Sequence, residues 1–329
     1  MILRVFVAVL GLLALVASAS AESFPVTVEH IYGATTVPAK PARIVSVGMH
    51  EQDFLYALGI APVGVKEWWG EHRYATWPWA DAAREAVGAT PEVMTADGIS
   101  LEWVAAQNPD LIIAIYVTMD ESTYRQLSQI APTVVTPAGF EPWGATWQAE
   151  LSTIDRATTG TTEKSDAIIA DFARRYEAVR TTYPELAGIT GTNVYYENGN
   201  FTAWGSDDLA SKFLIELGLT FPPKLDALAQ ADNRIDISPE LIDELLDMDV
   251  AIWPISGPDS NEQATVEAMP LYQNLRIAKQ GRSIWLDDGD GLAYAAMSWQ
   301  TPLSLGYLLD ILPAKLAAAA DGDPATPVE

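Results

Sequence analysis

No cysteine occurs in the 329 residues. That excludes a disulfide framework, a thiolate metal site, a cysteine nucleophile and lipid attachment through an N-terminal cysteine. Basic side chains are scarce, with 19 Lys and Arg against 44 Asp and Glu and a formal charge of −25. Phosphate backbones and anionic lipid surfaces repel such a chain, which argues against nucleic acid as a partner. The only histidines are His30, His50 and His72, too dispersed along the chain to mark a metal cluster. Catalytic signatures are missing as well. There is no G-x-S-x-G elbow and no phosphate loop, and the many acids form no catalytic motif, so the chain does not read as an enzyme. What is present is apolar: 49% of residues are hydrophobic, enough to fill proper cores. The length suits about two domains of roughly 150 residues.

The N-terminus has the pattern of an export signal. Arg4 precedes an apolar run from Val5 to Val16, too short to span a bilayer core of ~20 helical residues. Small residues follow, ending in Ala19-Ser20-Ala21 before Glu22, an A-x-A-like cleavage site. The expectation is a signal peptide over 1–21, cleaved to leave a soluble periplasmic protein without a lipobox cysteine.

Beyond a polar, proline-bearing lead from Pro25 to Pro41, short apolar strands alternate with helical segments. Strands are expected at Arg43 to Gly48, Ala61 to Val65, Leu111 to Ile115 and Thr133 to Val135. A second series follows at Asn193 to Tyr196, Val250 to Trp253 and Ser283 to Leu286. Short continuous apolar strands between helices indicate parallel sheets covered on both faces. Between the two series, Ile168, Phe172, Tyr176, Val179 and Tyr183 recur at helical spacing and Pro184 ends the run. The expected architecture is α/β: two Rossmann-like lobes joined by one long helix, with a ligand cleft between them. The boundaries are an N-terminal lobe at 22–160, a linker helix at 161–184, a C-terminal lobe at 185–320 and a flexible tail at 321–329.

One motif occurs in both halves. Ser100-Leu101-Glu102 opens a helix leading to Asp110 and a strand, and Ser238-Pro239-Glu240 opens one leading to Asp249 and a strand. Each serine suits a helix cap and Pro239 a first helical position. Either glutamate alone reads as a favourable charge at a helix start. As a pair, one per lobe, they suggest symmetric presentation to a partner.

These segments carry a resemblance to a known family. Arg43-Ile44-Val45-Ser46-Val47, Asn108-Pro109-Asp110-Leu111-Ile112, Gln129-Ile130-Ala131-Pro132-Thr133-Val134, Ile237-Ser238-Pro239-Glu240, Met269 to Leu275 and Thr301-Pro302-Leu303-Ser304-Leu305 resemble the periplasmic substrate-binding proteins of ABC importers for iron–siderophore complexes. Haem and vitamin B12 binders are more distant members. The resemblance implies two lobes on a rigid helix, a ferric siderophore in the cleft, no resident cofactor and a monomer. It also implies docking of Glu102 and Glu240 onto arginines of the inner-membrane permease, which works with its ATPase. A haem or corrinoid ligand, or a bare metal ion, stays as the alternative, and Met49-His50 after the first strand keeps haem open.

Ligands of open α/β sheets bind beyond the carboxyl ends of the strands. There the sequence offers Trp68, Trp69, Arg73 and Tyr74, with Trp77 and Trp79 close behind; then Tyr116, Trp143, Trp204, Arg234, Trp253, Tyr294 and Trp299. The four-tryptophan loop reads either as a ligand-facing wall or as a folded-over aromatic minicore. Aromatic walls suit a large chelate whose iron is already coordinated, so metal ligands need not come from the protein. With only Lys66, Arg73 and Arg234 basic near the cleft, and Asp287, Asp288 and Asp290 on another loop, the charge favours hydroxamate or mixed-ligand siderophores over trianionic tris-catecholates. Where hydroxamate-binding relatives often carry an arginine, this chain has Gly88-Ala89-Thr90.

Overall fold

The computed structural model describes residues 24–197, 199–257 and 260–328. The expected signal peptide lies outside them. The chain enters through an antiparallel hairpin, β1 (Val26–His30) with β2 (Gly33–Val37). Val26, Val28 and His30 face inward while Thr27 and Glu29 face out, the two-residue period of a half-buried strand. The prolines of this polar lead, Pro25, Pro38 and Pro41, all fall outside the two strands.

The first lobe is built on β3 (Ile44–Ser46), β4 (Gly64–Lys66), β5 (Glu92–Met94), β6 (Leu111–Ala114) and β7 (Thr133–Val135). Their order is β5-β4-β3-β6-β7 and every pairing is parallel. All residues of β3 and β6 are buried, as helices on both faces require. The strand order reverses between β3 and β6. The loops leaving their carboxyl ends therefore open a crevice, the usual place for a ligand in such sheets.

The linker helix runs Glu163–Thr182, with Tyr183 as its C-cap. Phe172 and Tyr176 are buried on its stripe, and Ile168, Val179 and Tyr183 pack beside them, matching the apolar spacing in the sequence.

The second lobe departs from a simple repeat of the first. β8 (Gly191–Asn193), β12 (Val250–Pro254) and β13 (Ser283–Leu286) form a parallel sheet in the order β13-β12-β8. β9 (Tyr195–Glu197), β10 (Asn200–Trp204) and β11 (Arg234–Ile237) form a separate antiparallel one. The expected strand from Asn193 to Tyr196 is thus divided at Val194. Its N–H still donates to Ile252 at 2.8 Å, while Tyr195 already pairs with Thr202.

The lobes are held together by more than the linker. One apolar core includes Leu55 and Leu58 of the first lobe, Phe172 and Tyr176 of the linker, and Phe213 and Leu214 of the second lobe. It also takes in Leu305, Leu308 and Leu312 of the C-terminal helix Pro302–Ala320. Thr301 caps that helix through the Ser304 N–H and donates its own hydroxyl to Asp53 in the first lobe at 2.9 Å. The sequence boundary at 185–320 gave this helix to one lobe, whereas it packs on both. The segment after it, expected as a flexible tail, makes contacts of its own. Asp321 accepts from the Asp323 N–H and the Thr326 hydroxyl, both at 2.7 Å, and Val328 rests on the main core.

Candidate ligand-binding cleft

The crevice beyond β3 and β6 sits on a buried ionisable floor. The helix Glu51–Ala57 follows β3 directly and begins with Glu51, Gln52 and Asp53, all fully buried. Glu51 turns back and accepts the N–H groups of Ile115 and Tyr116, each at 2.9 Å. It thereby satisfies the backbone where β6 ends. A Cβ at Gly48 would come within 1.7 Å of that carboxylate, so only glycine leaves room for it. His50 meets Glu150 at 3.2 Å, both side chains 1% exposed. Burial alone would depress the imidazole, but Glu150, Glu51 and Asp53 outweigh it and hold its pKa above the ordinary value. Burial raises Glu150, partly offset by His50. Asp53 is pushed up to about 6 by burial, against hydrogen bonds from Trp79 and Thr301.

Tyr116 covers this floor, its ring centroid 4.1 Å from that of His50. Trp143 stands edge-on to Tyr116 at 4.6 Å and donates its indole N–H to Thr118. Opposite them, the second lobe presents Tyr195, Thr202 and Trp204 from its antiparallel strands, Arg234 from β11, Asp208 from the cap of a helix, and Tyr294, Ser298 and Trp299. These enclose a cavity of about 460 Å³ between the lobes. Its charged lining is acidic: Glu197, Asp208 and Asp232 outnumber Arg234. Even that guanidinium is engaged, its Nε donating to Asp236 at 2.9 Å. Burial raises the pKa of Asp208, countered by backbone N–H groups at the start of the helix it caps.

The eleven expected cleft residues separate into groups. Tyr116, Trp143, Trp204, Arg234, Tyr294 and Trp299 line the cavity together. Trp68 and Trp69 form an aromatic bridge at one side, with Trp68 at 5.4 Å from Trp299, and Trp69 at 5.6 Å from Tyr294 and 5.7 Å from Trp299. Behind them Trp77 is 1% exposed and stacks on Trp79 at 4.9 Å. The loop is therefore largely the minicore, with its front pair closing the interlobe seam. Arg73 and Tyr74 are not among the cavity residues. Exposed Arg73 lies over the ring of its neighbour and donates to its hydroxyl at 2.8 Å. Trp253 is a correction: it is buried in the second-lobe core against Trp285 at 4.8 Å. All five residues of β12 are buried, so the Trp253 side chain is taken up by the core and does not face the cleft. His50, closed under Tyr116, is not presented to the cavity as an axial ligand. Among the described residues, no group of three or more His, Asp or Glu is placed to hold a metal ion.

Sequence reasoning missed Tyr195, Glu197, Asp208, Asp232 and Ser298. Only Asp208 carried a local signal, as a capping residue before the amphipathic helix Leu209–Glu216.

The paired glutamates are both exposed. Ser100 caps the helix Leu101–Ala106 by accepting the Trp103 N–H at 3.2 Å, with Glu102 in its first turn. The second copy differs. Pro239–Leu241 is a 3-10 turn before the short helix Ile242–Leu245, and Ser238 donates to Glu240 in place of capping. That bond holds the Glu240 carboxyl below its ordinary pKa. The aspartates of the motif do match. Asp110 accepts the N–H groups of Ala42 and Arg43, and Asp249 that of Thr190, all at 2.8 Å. Each ties the start of its own strand to the neighbouring chain segment.

Comparison with known proteins agrees with this architecture. A family model described as "Periplasmic binding protein" matches residues 44–288. The chain is 28% identical over 272 residues to a probable siderophore-binding lipoprotein of Bacillus subtilis, covering 80% of each chain. It is 27% identical over 260 residues to an Fe(3+)-citrate-binding protein of the same organism, covering 76% of this chain and 74% of the relative. Among solved structures, a periplasmic solute binding protein from Mycobacterium smegmatis matches with a TM-score of 0.79 and 31% identity over 90% of this chain and 98% of the other. Streptococcus pneumoniae PiaA in complex with ferrichrome shares the fold, with a TM-score of 0.74 and 24% identity over 91% and 99%.

Proposed function

This chain belongs to the periplasmic binding protein family, and from that premise we propose that it captures a ferric siderophore outside the inner membrane and delivers it to an ABC importer. The observation that carries this reading is the cavity between the lobes, walled by Tyr116, Trp143, Trp204, Tyr294 and Trp299. Aromatic faces with a few polar groups suit a bulky chelate whose metal is already saturated. The cavity binds a complex by shape and stacking and performs no reaction on it. The names of the curated relatives, one siderophore-binding and one Fe(3+)-citrate-binding, support the same ligand class.

The preference is for hydroxamate or mixed-ligand complexes. A trianionic tris-catecholate would meet Glu197, Asp208 and Asp232, with the ion-paired Arg234 the one basic side chain among the described lining residues, an unfavourable juxtaposition in a partly desolvated site. Glu102 and Glu240 dock the loaded protein onto permease arginines, each through a charge-assisted contact. Residues 1–21 direct export to the periplasm.

Tryptophan quenching against ferrioxamine-type, ferrichrome-type and enterobactin-type ferric complexes tests the reading. Saturable binding with the tris-catecholate last is expected. Tightest binding of the catecholate would overturn the charge argument, and no response to any complex would overturn the function.

A further inference from the structure

Tyr116 meets the cavity on one side and the buried ionisable floor on the other. Its N–H donates to Glu51 at 2.9 Å and its carbonyl accepts from the Met49 N–H at 3.2 Å. Both polar groups of its backbone are thus tied to the segment that follows β3. The ring is held by other contacts. Trp143, 40% exposed, stands edge-on at 4.6 Å, and the His50 imidazole lies against it at 4.1 Å with 33° between the planes. Tyr116 is 7% exposed, yet its hydroxyl takes no hydrogen bond among the described residues.

His50 occupies a place suited to a buried cation. Its Nε2 meets Glu150 of the helix Trp147–Thr159 at 3.2 Å. Glu51 and Asp53, on the helix that His50 precedes, add two further carboxylates acting on it. Among the described residues no lysine or arginine forms an ion pair with any of the three. Phe54 brings a second ring to 5.4 Å from the imidazole and is itself part of the main core. A ring face attracts a cation within about 6 Å of its centroid, and carboxylates do so more strongly in a desolvated site than in water. Of these two rings, Tyr116 is the one that lines the cavity, so a charge on His50 acts on the ligand site through it.

Resting on the siderophore reading of that cavity, we propose that His50, carried as an imidazolium on Glu150, is a positioning residue for the ligand: it holds the Tyr116 ring in the orientation that meets the ferric complex. Deprotonation frees the ring, and the complex must then reorder it on binding. The groups that face His50 are Glu51 and Asp53 from one helix, Glu150 from another and Tyr116 from the loop after β6. Burial favours the neutral imidazole, but the three carboxylates hold its pKa above the ordinary 6.5. The charge is therefore present at that pH and lost as pH climbs through the raised value. Burial, with Glu150, Asp208 and Glu51, pushes the Tyr116 hydroxyl up, so it keeps its proton throughout. His30 and His72 are lowered by burial and lose their charge below this range.

Ferrichrome and ferrioxamine E, neutral ferric trihydroxamates with no group titrating in this range, are followed by tryptophan quenching from about pH 6.5 to about pH 9. Wild-type affinity should fall roughly two- to thirty-fold across it, the span of cation–ring attraction from exposed to desolvated sites. His50→Gln should give a flat profile at the weak, high-pH level of the wild type. Tyr116→Phe keeps the ring and should keep the slope, whereas Tyr116→Leu should lose it. A flat wild-type profile with binding intact would overturn the role of His50 and leave siderophore binding standing. A slope that survives in His50→Gln or in Tyr116→Leu would do the same. Should His50→Gln not fold, the wild type against the two Tyr116 variants decides alone. Binding of neither complex at any pH would overturn the hydroxamate reading, and the role of His50 with it.

Discussion

The two sides of the interlobe crevice use the same residue type for different ends. On one side Trp68, Trp69, Trp77 and Trp79 pack against one another and against Trp299 and Tyr294, filling the seam between lobes. On the other, Tyr116, Trp143 and Trp204 stand around an open cavity. A tryptophan surrounded by side chains contributes its buried area to folding. One facing a cavity keeps that area in reserve for a ligand. The seam also contains Asp53, which accepts hydrogen bonds from Trp79 and from Thr301 at the head of the C-terminal helix. The closed side therefore fixes the separation of the lobes, and the open side uses that fixed separation.

Removing Trp77 breaks the closed side most severely. The Trp77→Ala protein should lose ~3–5 kcal/mol of stability, the usual cost of truncating a fully buried aromatic, read as a lowered urea midpoint. A change under about 1 kcal/mol would mean that the minicore carries little of the fold.

The next effect is a pH dependence. Asp53 has a folded-state pKa of about 6 against an ordinary 3.8. The folded protein therefore holds this proton more tightly than the unfolded chain does. Its contribution is full below about pH 4 and is lost as pH climbs through 6. The loss is on the order of 3 kcal/mol for a two-unit gap. In Asp53→Asn this dependence should vanish, so that wild type loses stability relative to the variant between pH 4 and pH 7. Parallel pH profiles for the two proteins would contradict the burial argument.

On the open side, Trp204→Ala should weaken ferric-complex binding by ~1–3 kcal/mol, the scale of a buried aromatic contact, with the melting temperature of the unliganded protein nearly unchanged. A large fall in melting temperature would transfer Trp204 to the structural group.

The smallest stability effect is expected at the paired glutamates. Glu102→Ala and Glu240→Ala should each leave stability nearly unchanged, as the loss of an exposed charge at a helix start does, and leave ligand affinity unaltered. ATPase stimulation in reconstituted transporter should fall in each and nearly disappear in the double variant. Wild-type stimulation by the double variant would reduce both to ordinary surface charges.

Much of the architecture was legible in the sequence because it rests on local periodicity. The linker stripe from Ile168 to Tyr183 and the apolar strands Leu111–Ala114 and Val250–Pro254 have patterns that the fold uses directly. The first hairpin was obscured by flanking prolines, although Val26-Thr27-Val28-Glu29-His30 alternates plainly. The division at Val194 had no such signal, since which sheet a strand joins depends on long-range pairing.

The cleft was half legible for the same reason. Position after a strand found Tyr116, Trp143 and Trp204, but gave no means of telling them from Trp253, whose ring points into the second-lobe core. Arg73 stands apart from the cavity and donates to its own neighbour, Tyr74. Glu197 and Asp232 were hidden among 44 acids, and only the meeting of distant loops distinguishes them.

A crystal structure of the protein with a ferric hydroxamate tests the central claim most directly. The account predicts the chelate in the interlobe cavity, against Tyr116, Trp143 and Trp204, with the lobes superimposing on the unliganded arrangement because the seam and the C-terminal helix hold them. A chelate seated on Arg73 and Tyr74 outside the cavity, or lobes swung apart with Trp68 and Trp69 separated from Trp299, would contradict it.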